Sequence, residues 1–233
     1  MARGETLRSW LRLWPRAASP HEVDVVRGYA LWAADYPPAA HNRLMEVEER
    51  AVLELLPALA GRRALDLGCG SGRYLQVLAR QGARLAVGCD LSAEMLQQAS
   101  GKGHRLVRAN ALRLPFAAGA FDVIVCGLMV GHVGPLDGVL LEASRLLAPG
   151  GAIVYSDLHP RGAQAGWKRT FEARDGRRYA LPHHVHGHDA HRAACRRAGL
   201  ALLGVREPTV DWEGRWHGHP AVLVLAAGKG DRL

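Results

Sequence analysis

The chain has 233 residues and a formal net charge of +8, with 48% hydrophobic and 22% charged residues. These values are typical of a globular protein and exclude a disordered or collagen-like chain. The longest uncharged apolar run, Val123–Gly131, is far shorter than the roughly 20 residues of a membrane-spanning helix, and no signal peptide is visible, so we expect a cytoplasmic protein.

The N-terminal quarter of the chain is predicted to be helical. Apolar residues at helical spacing indicate one helix at 7–14 and a second that ends near Trp32. A third helix is predicted from Asn42, a suitable N-cap, to Pro57. We interpret residues 1–60 as a helical lid or cap on the domain that follows.

From residue 62 onward, short apolar strands alternate with helices. The predicted strands are 64–67, 85–89, 106–108, 121–126, 152–156, 200–206 and 221–226, and the predicted helices are 73–80, 93–99, 137–147 and 189–198. Such an alternation is typical of a parallel sheet that is covered by helices on both faces. The alternation of strands and helices is interrupted between residues 158 and 186, and we interpret this stretch as an insertion.

The four cysteines, Cys69, Cys89, Cys126 and Cys195, are widely spaced and form no CxxC pair. They are too few for a disulfide framework and lack the spacing of a zinc site. We therefore expect four small buried side chains in a reducing compartment.

Much of the positive charge lies between residues 158 and 197, which hold nine arginines and lysines and only three acids. A local excess of this kind suits an anionic substrate or an acidic partner. The alternative is a solvated surface, because the whole chain is rich in arginine.

Residues 64–72 read ALDLGCGSG, which is a buried strand with an acid near its carboxyl end and three alternating glycines that open a helix. Glycines at such a turn let a ligand approach the backbone, and ligands of α/β sheets bind at the carboxyl ends of strands. A dinucleotide-binding turn requires a third glycine at a fixed spacing, but Arg73 and Leu75 occupy that position in the two possible registers. Asp66 would also repel a pyrophosphate, whereas it suits a ligand with an ammonium group.

Five segments follow one another along the chain: 66–72 (DLGCGSG), 88–92 (GCDLS), 110–116 (NALRLPF), 121–126 (FDVIVC) and 146–151 (LLAPGG). Together they resemble the class I S-adenosylmethionine-dependent methyltransferases of the small-molecule, type 11-like kind. The resemblance implies an α/β, Rossmann-like fold with a seven-stranded, mostly parallel sheet, helices on both faces and an N-terminal helical lid. It also implies a cofactor-binding core at 61–157, a substrate-cap insertion at 158–186 and a C-terminal helix and final strands at 187–233.

The resemblance implies S-adenosyl-L-methionine as the cofactor. Asp90 would then accept hydrogen bonds from both ribose hydroxyls, as a carboxylate can do with a cis-diol. Asn110 stands where the family usually has Asp in the segment that reads adenine, and its amide oxygen can still accept from the adenine amine. The implied cofactor contacts are Tyr29, Asp66, Gly68, Cys69, Gly70, Gly72, Asp90, Leu91, Asn110, Ala111, Cys126 and Gly127.

The implied activity is methyl transfer to a small-molecule acceptor, with O-methylation of a hydroxyl or carboxyl group favoured. Alignment of the reactants is the main task, because a methyl carbon on a sulfonium is already electrophilic. A general base is needed only when the acceptor is protonated at working pH. The candidate bases or substrate contacts are His132, His159 and His184. The basic stretch would suit an anionic acceptor or an acyl group on an acidic carrier protein.

Five of the twelve histidines lie between His183 and His191. Several of them could share one face of an extended segment or a helix, which is a pattern that metal sites use. No cluster of carboxylates accompanies them in the sequence, so we assign no metal and favour a role in the substrate cap or at the surface.

Two other functions remain open from the sequence. RNA or tRNA methylation is compatible with the isoelectric point near 9.8, but the segment after 121–126 lacks the motif of adenine-amine methylation and no Pro-Cys pair occurs, so nucleic acid is disfavoured as a partner. A non-catalytic S-adenosylmethionine-binding sensor or scaffold would keep the same pocket. The sequence indicates no membrane partner and does not fix the oligomeric state.

Overall fold

A computed structural model describes residues 19–101, 103–210 and 218–230. The helix predicted at 7–14 lies outside the described residues. The strands are β1 His21–Glu22, β2 Arg63–Leu67, β3 Leu85–Asp90, β4 Arg105–Arg108, β5 Phe121–Cys126, β6 Leu147–Leu158, β7 Arg169–Glu172, β8 Arg178–Leu181, β9 Leu200–Arg206 and β10 Val222–Lys229. The helices are α1 Val25–Trp32, α2 Arg43–Leu55, α3 Arg73–Arg80, α4 Ala93–Ala99, α5 Leu136–Leu146, α6 Pro160–Gln164 and α7 His188–Arg197.

Seven strands form the central sheet in the order β4-β3-β2-β5-β6-β10-β9. Every neighbouring pair from β4 to β6 is parallel, and β10 runs antiparallel to both β6 and β9. This confirms the predicted seven-stranded, mostly parallel α/β fold. The chain goes outward from β2 to β3 and β4 and then returns to β5 on the other side of β2, so a crevice opens at the carboxyl ends of these strands.

The two faces of the sheet are covered by separate hydrophobic clusters, as expected for a sheet buried on both sides. One cluster packs α5 and α7 on the sheet, and the other packs α2 and α3 on the opposite face. The predicted helix starts are confirmed by capping hydrogen bonds, from Met45 N to Asn42 Oδ1 at 2.9 Å and from Met95 N to Ser92 Oγ at 3.2 Å. All four cysteines are buried free thiols.

A second, three-stranded sheet in the order β1-β8-β7 lies outside the predicted strands. The β7–β8 hairpin lies in the stretch 158–186, where the sequence predicted no strands. Its strands are only four residues long and carry charged residues, which obscure the alternation of apolar and polar residues. Trp32 of α1 stacks on Phe171 of β7 with ring centroids 4.7 Å apart, and it is 6% exposed. This contact holds α1 against the hairpin. Among the described helices, none combines the length and apolar character needed to cross a membrane.

Candidate active site

A cavity of about 260 Å³ opens at the carboxyl ends of β2, β3 and β5. One side of its wall is the turn between β2 and α3 together with the end of β3. The other side is formed by α1, by the segment around His132 and by Arg169 of β7. The cavity therefore has a glycine-rich end on the central sheet and a polar end under the second sheet.

The glycine-rich turn presents bare backbone to the cavity. Gly68 and Gly70 have φ angles of +73° and +52°, a region that side chains rarely adopt. A Cβ on Gly68 would lie 2.5 Å from Met129 Cγ, whereas the space beside Gly70 is open. The turn is fixed by a 2.7 Å hydrogen bond from Gly68 N to the Cys89 carbonyl. A ligand can thus approach the backbone at Gly70 more closely than a side chain there would allow.

Asp90 lies at the end of β3 with its carboxylate facing both the turn and the cavity. Its Oδ2 accepts from Gly70 N at 2.8 Å, and its Oδ1 accepts from Ser92 N at 2.9 Å. Each oxygen retains a further lone pair, so the carboxylate can still accept two hydroxyl protons. Burial raises the pKa of Asp90, and these backbone donors oppose the rise.

Asp66 forms the floor of the cavity beside the turn and is 1% exposed. Its Oδ2 accepts from Leu75 N at 3.1 Å. Burial raises the pKa of Asp66 to about 7, with Asp90 adding to the rise and Arg73 opposing it. A cationic group bound next to it would favour the ionised carboxylate and reverse this rise.

The polar end of the cavity holds a three-residue network of Tyr29, His132 and Arg169. The Arg169 Nη1 donates to the Tyr29 hydroxyl at 2.6 Å, and it lies 2.9 Å from His132 Nε2. The Tyr29 hydroxyl is also 2.9 Å from that nitrogen. Because a guanidinium can only donate, Nε2 must be the acceptor, and Nδ1–H donates to the Pro182 carbonyl at 3.1 Å. Burial and the Arg169 charge lower the pKa of His132 to about 3, so the imidazole is neutral and a weak base.

Arg169 brings a positive charge into the cavity wall without an acidic counterpart. Its other hydrogen bond goes to the Leu128 carbonyl at 3.3 Å, so all its partners are neutral groups. Within the described part of the chain, no carboxylate forms an ion pair with it, although Asp157 acts on it from a longer distance. Burying a cation without an anionic partner costs free energy, and an anionic ligand would supply the missing negative charge.

Most of the residues expected from the sequence line this one cavity. They are Tyr29, Asp66, Gly68, Cys69, Gly70, Asp90, Leu91, Asn110, Ala111, Gly127 and the candidate base His132. The Asn110 Oδ1 already accepts from Leu112 N at 2.9 Å, which leaves it one further lone pair for a ligand.

Four expected residues lie away from the cavity wall. Gly72 is the N-cap of α3, and Cys126 is fully buried within β5. His159 is the N-cap of α6 and lies 3.8 Å from Glu207. His184 is exposed and contributes its backbone N–H to the Gly131 carbonyl at 2.7 Å. Among the three candidate histidines, the geometry therefore brings only His132 to the cavity.

Two features of the cavity could not be identified from the sequence. Arg169 was one of nine cations in a basic stretch, and only the pairing of β7 with β8 shows that it lines the cavity. Arg73, also in the wall, pairs with the fully buried Glu48 at 2.7 Å, and Glu48 accepts from Ser156 Oγ at 2.6 Å. This buried network ties α2, α3 and β6 together behind the cavity.

Comparison with known proteins gives consistent matches. The family described as a methyltransferase domain matches residues 65–155. The chain is similar to the demethylmenaquinone methyltransferase of Beutenbergia cavernae, with 37% identity over 155 residues that cover 61% of this chain and 62% of that protein. It is also similar to the malonyl-[acyl-carrier protein] O-methyltransferase of Pectobacterium atrosepticum, with 31% identity over 175 residues, covering 72% of this chain and 66% of that protein.

A solved structure shares the fold. The S-adenosylmethionine-dependent methyltransferase from Mesorhizobium loti superposes with a TM-score of 0.65 at 23% identity, covering 78% of this chain and 98% of that chain. The chain spans less than two thirds of the length of the curated relatives it matches.

Proposed function

Through residues 65–155 the chain belongs to the class I S-adenosylmethionine-dependent methyltransferases, and on this premise we propose that it transfers a methyl group to a small anionic acceptor. The observation that carries the proposal is one cavity with two chemically different ends. Asp66, Gly70 and Asp90 line the glycine-rich end, and Tyr29, His132 and Arg169 line the polar end.

The glycine-rich end fits the cofactor of the family, S-adenosyl-L-methionine. Asp90 has acceptor capacity left for a ribose diol, and the open side of Gly70 leaves room for the ligand. Asp66 would face the ammonium group, while Leu91 and Asn110 would hold the adenine. The bound cofactor supplies an electrophilic methyl carbon on a positively charged sulfur. The chain itself has to align the acceptor with that carbon and exclude water.

The polar end of the cavity is the acceptor end, and it favours an acceptor with an anionic group. Arg169 can pair with a carboxylate through charge-assisted hydrogen bonds, and Tyr29 holds the guanidinium in place. His132 is neutral and hydrogen-bonded to that guanidinium, which makes it a positioning partner rather than a general base. Among the described residues that line this end of the cavity, none is a stronger base, and an acceptor that is already ionised at neutral pH reacts without proton removal. We therefore favour O-methylation of a carboxylate over that of a hydroxyl group.

The proposal is tested with methyl-labelled S-adenosylmethionine and a panel of acceptors. The panel contains mono- and dicarboxylates, phenols, an unmodified RNA and acyl groups on a carrier protein, because one relative is named for a carrier-bound substrate. A carboxylate product is a methyl ester that releases labelled methanol in base, whereas a phenol product is a stable ether. Ester formation supports the proposal. Labelling of RNA alone, or cofactor binding without any product, contradicts it and favours the RNA enzyme or the sensor.

Cofactor binding is expected to depend on pH through Asp66. Because the free carboxyl has a pKa of about 7, it is largely neutral below pH 7 and cannot pair with an ammonium group. The Kd for S-adenosylhomocysteine should then be about tenfold higher at pH 6 than at pH 8 by proton linkage. Calorimetry over this pH range checks the prediction. Asp66→Asn should flatten the profile, and an equally steep profile in that variant would assign the dependence to another group.

A further inference from the structure

A cluster of one carboxylate and three imidazoles lies next to the acceptor end of the cavity, where the carboxyl end of β6 meets residues 183–191. Asp157 is fully buried, with the His186 Nδ1 3.1 Å from its Oδ2 and the His183 Nε2 3.0 Å from its Oδ1. His191, also fully buried, completes the group from the first turn of α7. These residues are outside the cavity wall and have no part in the proposed methyl transfer.

Donor atoms from Asp157, His186 and His191 all lie within 4.8 Å of one another. Two ligands of a tetrahedral zinc ion are about 3.3 Å apart when each is about 2.0 Å from the metal. The His186 Nδ1 and the Asp157 Oδ2 are 3.1 Å apart and joined by a hydrogen bond, so a zinc ion would replace the proton between them, which is released to solvent. The three side chains are therefore close enough together to bind one ion.

The buried His191 provides an independent reason to expect a cation. Its Nδ1 lies 3.4 Å from the Tyr155 hydroxyl, which can accept the Nδ1 proton. Its Nε2 is buried and has no hydrogen-bond partner among the described residues. In the tautomer with the proton on Nδ1, this leaves a buried lone pair unsatisfied, which is costly. A metal ion at Nε2 would satisfy it.

We propose that Asp157, His186 and His191 bind a zinc ion. Two imidazoles and one carboxylate suit zinc, whereas a hard cation such as Mg²⁺ prefers oxygen ligands. The His183 Nε2 lies 3.0 Å from the other oxygen of Asp157, and the Tyr155 hydroxyl contacts the second nitrogen of His191, in the places that the outer partners of metal ligands commonly take.

The proposed site would fix the segment that contacts His132 and Gly131 beside the acceptor end of the cavity. Pro182 accepts the hydrogen bond from His132, and the backbone of His184 donates to the Gly131 carbonyl. Both contacts precede His186 on the same stretch of chain. Zinc would anchor this stretch to β6 and so hold His132 and its partner Arg169 in position.

A neighbouring group supplies a matched control. His159, His188 and Glu207 also have donor atoms within 4.8 Å of one another, but His188 and Glu207 are much more exposed than Asp157 and His191. Residues 186–188 thus offer one imidazole to each group, His186 to the proposed site and His188, the first residue of α7, to the other. His186 is only 11% exposed at its side chain, but it lies on a loop outside the helices and strands, so its replacement spares the core.

The test measures zinc affinity of the full, untagged chain by competition with a chromophoric chelator after the metal is stripped. We expect one tight site per chain, a loss of at least about 100-fold in affinity for His186→Gln and a change of less than about threefold for His188→Gln. His183→Gln should have an intermediate effect, about 10- to 100-fold. Circular dichroism verifies that each variant is folded, and a higher unfolding temperature with zinc than without it supports the site.

Several results would overturn the proposal. They are no competition for zinc by the folded wild-type chain, loss of the site in His188→Gln but not in His186→Gln, and displacement of zinc by equimolar Mg²⁺. Cobalt substitution gives a second readout that does not depend on activity, because the visible spectrum of Co²⁺ reports nitrogen and oxygen ligands in a tetrahedral site. A six-coordinate spectrum typical of hydrated Co²⁺ would also contradict the proposal.

Discussion

Replacing Asp90 with alanine is expected to weaken the binding of S-adenosylhomocysteine by about 100-fold. The carboxylate would accept two hydrogen bonds from the ribose, and hydrogen bonds to a charged group contribute about 1.5–3 kcal/mol each. A loss of about 3 kcal/mol corresponds to roughly a 100-fold increase in Kd. The variant also removes the acceptor of the Gly70 N–H, which loosens the turn that forms the rest of this end of the cavity. Isothermal titration calorimetry measures the change.

Two further variants make the result specific. Asp90→Asn keeps the volume and one acceptor oxygen, so its Kd should fall between those of the wild type and Asp90→Ala. Glu46→Gln removes an exposed carboxylate of α2 that pairs with the exposed Arg43 outside the cavity wall, and it should leave the Kd within about twofold, since exposed ion pairs contribute little. An Asp90→Ala protein that is folded and binds the nucleoside as tightly as the wild type would show that Asp90 does not hold the ribose.

Replacing Arg169 with glutamine is expected to raise the KM for the anionic acceptor by about 30- to 4000-fold, with the cofactor Kd unchanged. Truncating one partner of a desolvated charge pair costs about 2–5 kcal/mol, because the remaining charge is left unpaired. Arg169 contacts Tyr29 and His132 at the acceptor end and has no hydrogen bond to the glycine-rich turn. Steady-state kinetics on the best acceptor of the panel, together with calorimetry of the cofactor product, separate the two effects.

The matched control is Arg174, which belongs to the turn of the same β7–β8 hairpin. Its exposed guanidinium pairs with Asp35 at 2.9 Å and lies outside the cavity wall. Arg174→Gln should change the KM by less than about twofold, since exposed ion pairs contribute little. A neutral amide analogue, which cannot form the ester and is measured as a competitive inhibitor, provides a second comparison, because Arg169→Gln should weaken its binding far less than that of the acid. An equal loss for acid and amide would contradict an anion-binding role.

The central sheet could be predicted from the sequence because each strand is short, apolar and followed by a turn or helix with clear end residues. The run from 64 to 126 is an example, with its glycine-rich turn, the N-cap Ser92 and the buried strand Phe121–Cys126. The glycine-rich end of the cavity, where the cofactor would bind, could be predicted for the same reason. Its residues lie at the ends of strands or directly after them, and the carboxyl ends of parallel strands meet at one edge.

The acceptor end could not be predicted in this way, because its residues come from distant parts of the chain. Tyr29 and Arg169 are 140 residues apart and meet only when β1, β8 and β7 form the second sheet. The same holds for Asp157, which supplies the carboxylate that the histidine-rich stretch lacks in its own sequence and which lies 29 residues before His186. Pairings of this kind depend on tertiary contacts that local patterns do not encode.

The role of His132 also changes with the structure. Its position after the strand Phe121–Cys126 suggested a general base or a substrate contact. The fold places it against Arg169, whose charge, together with burial, lowers the pKa of the imidazole to about 3. Protonation behaviour is set by the three-dimensional surroundings of a group, so the residue type and its place in the sequence could not reveal this.

The most direct test of the account is calorimetry of the purified wild-type chain with S-adenosylhomocysteine and, separately, with NADH. We expect one nucleoside site per chain with a micromolar or lower Kd and no heat from NADH, because Asp66 lies beside the turn where a pyrophosphate would have to bind. Heat from NADH but none from S-adenosylhomocysteine would contradict the cofactor assignment and the methyl transfer built on it.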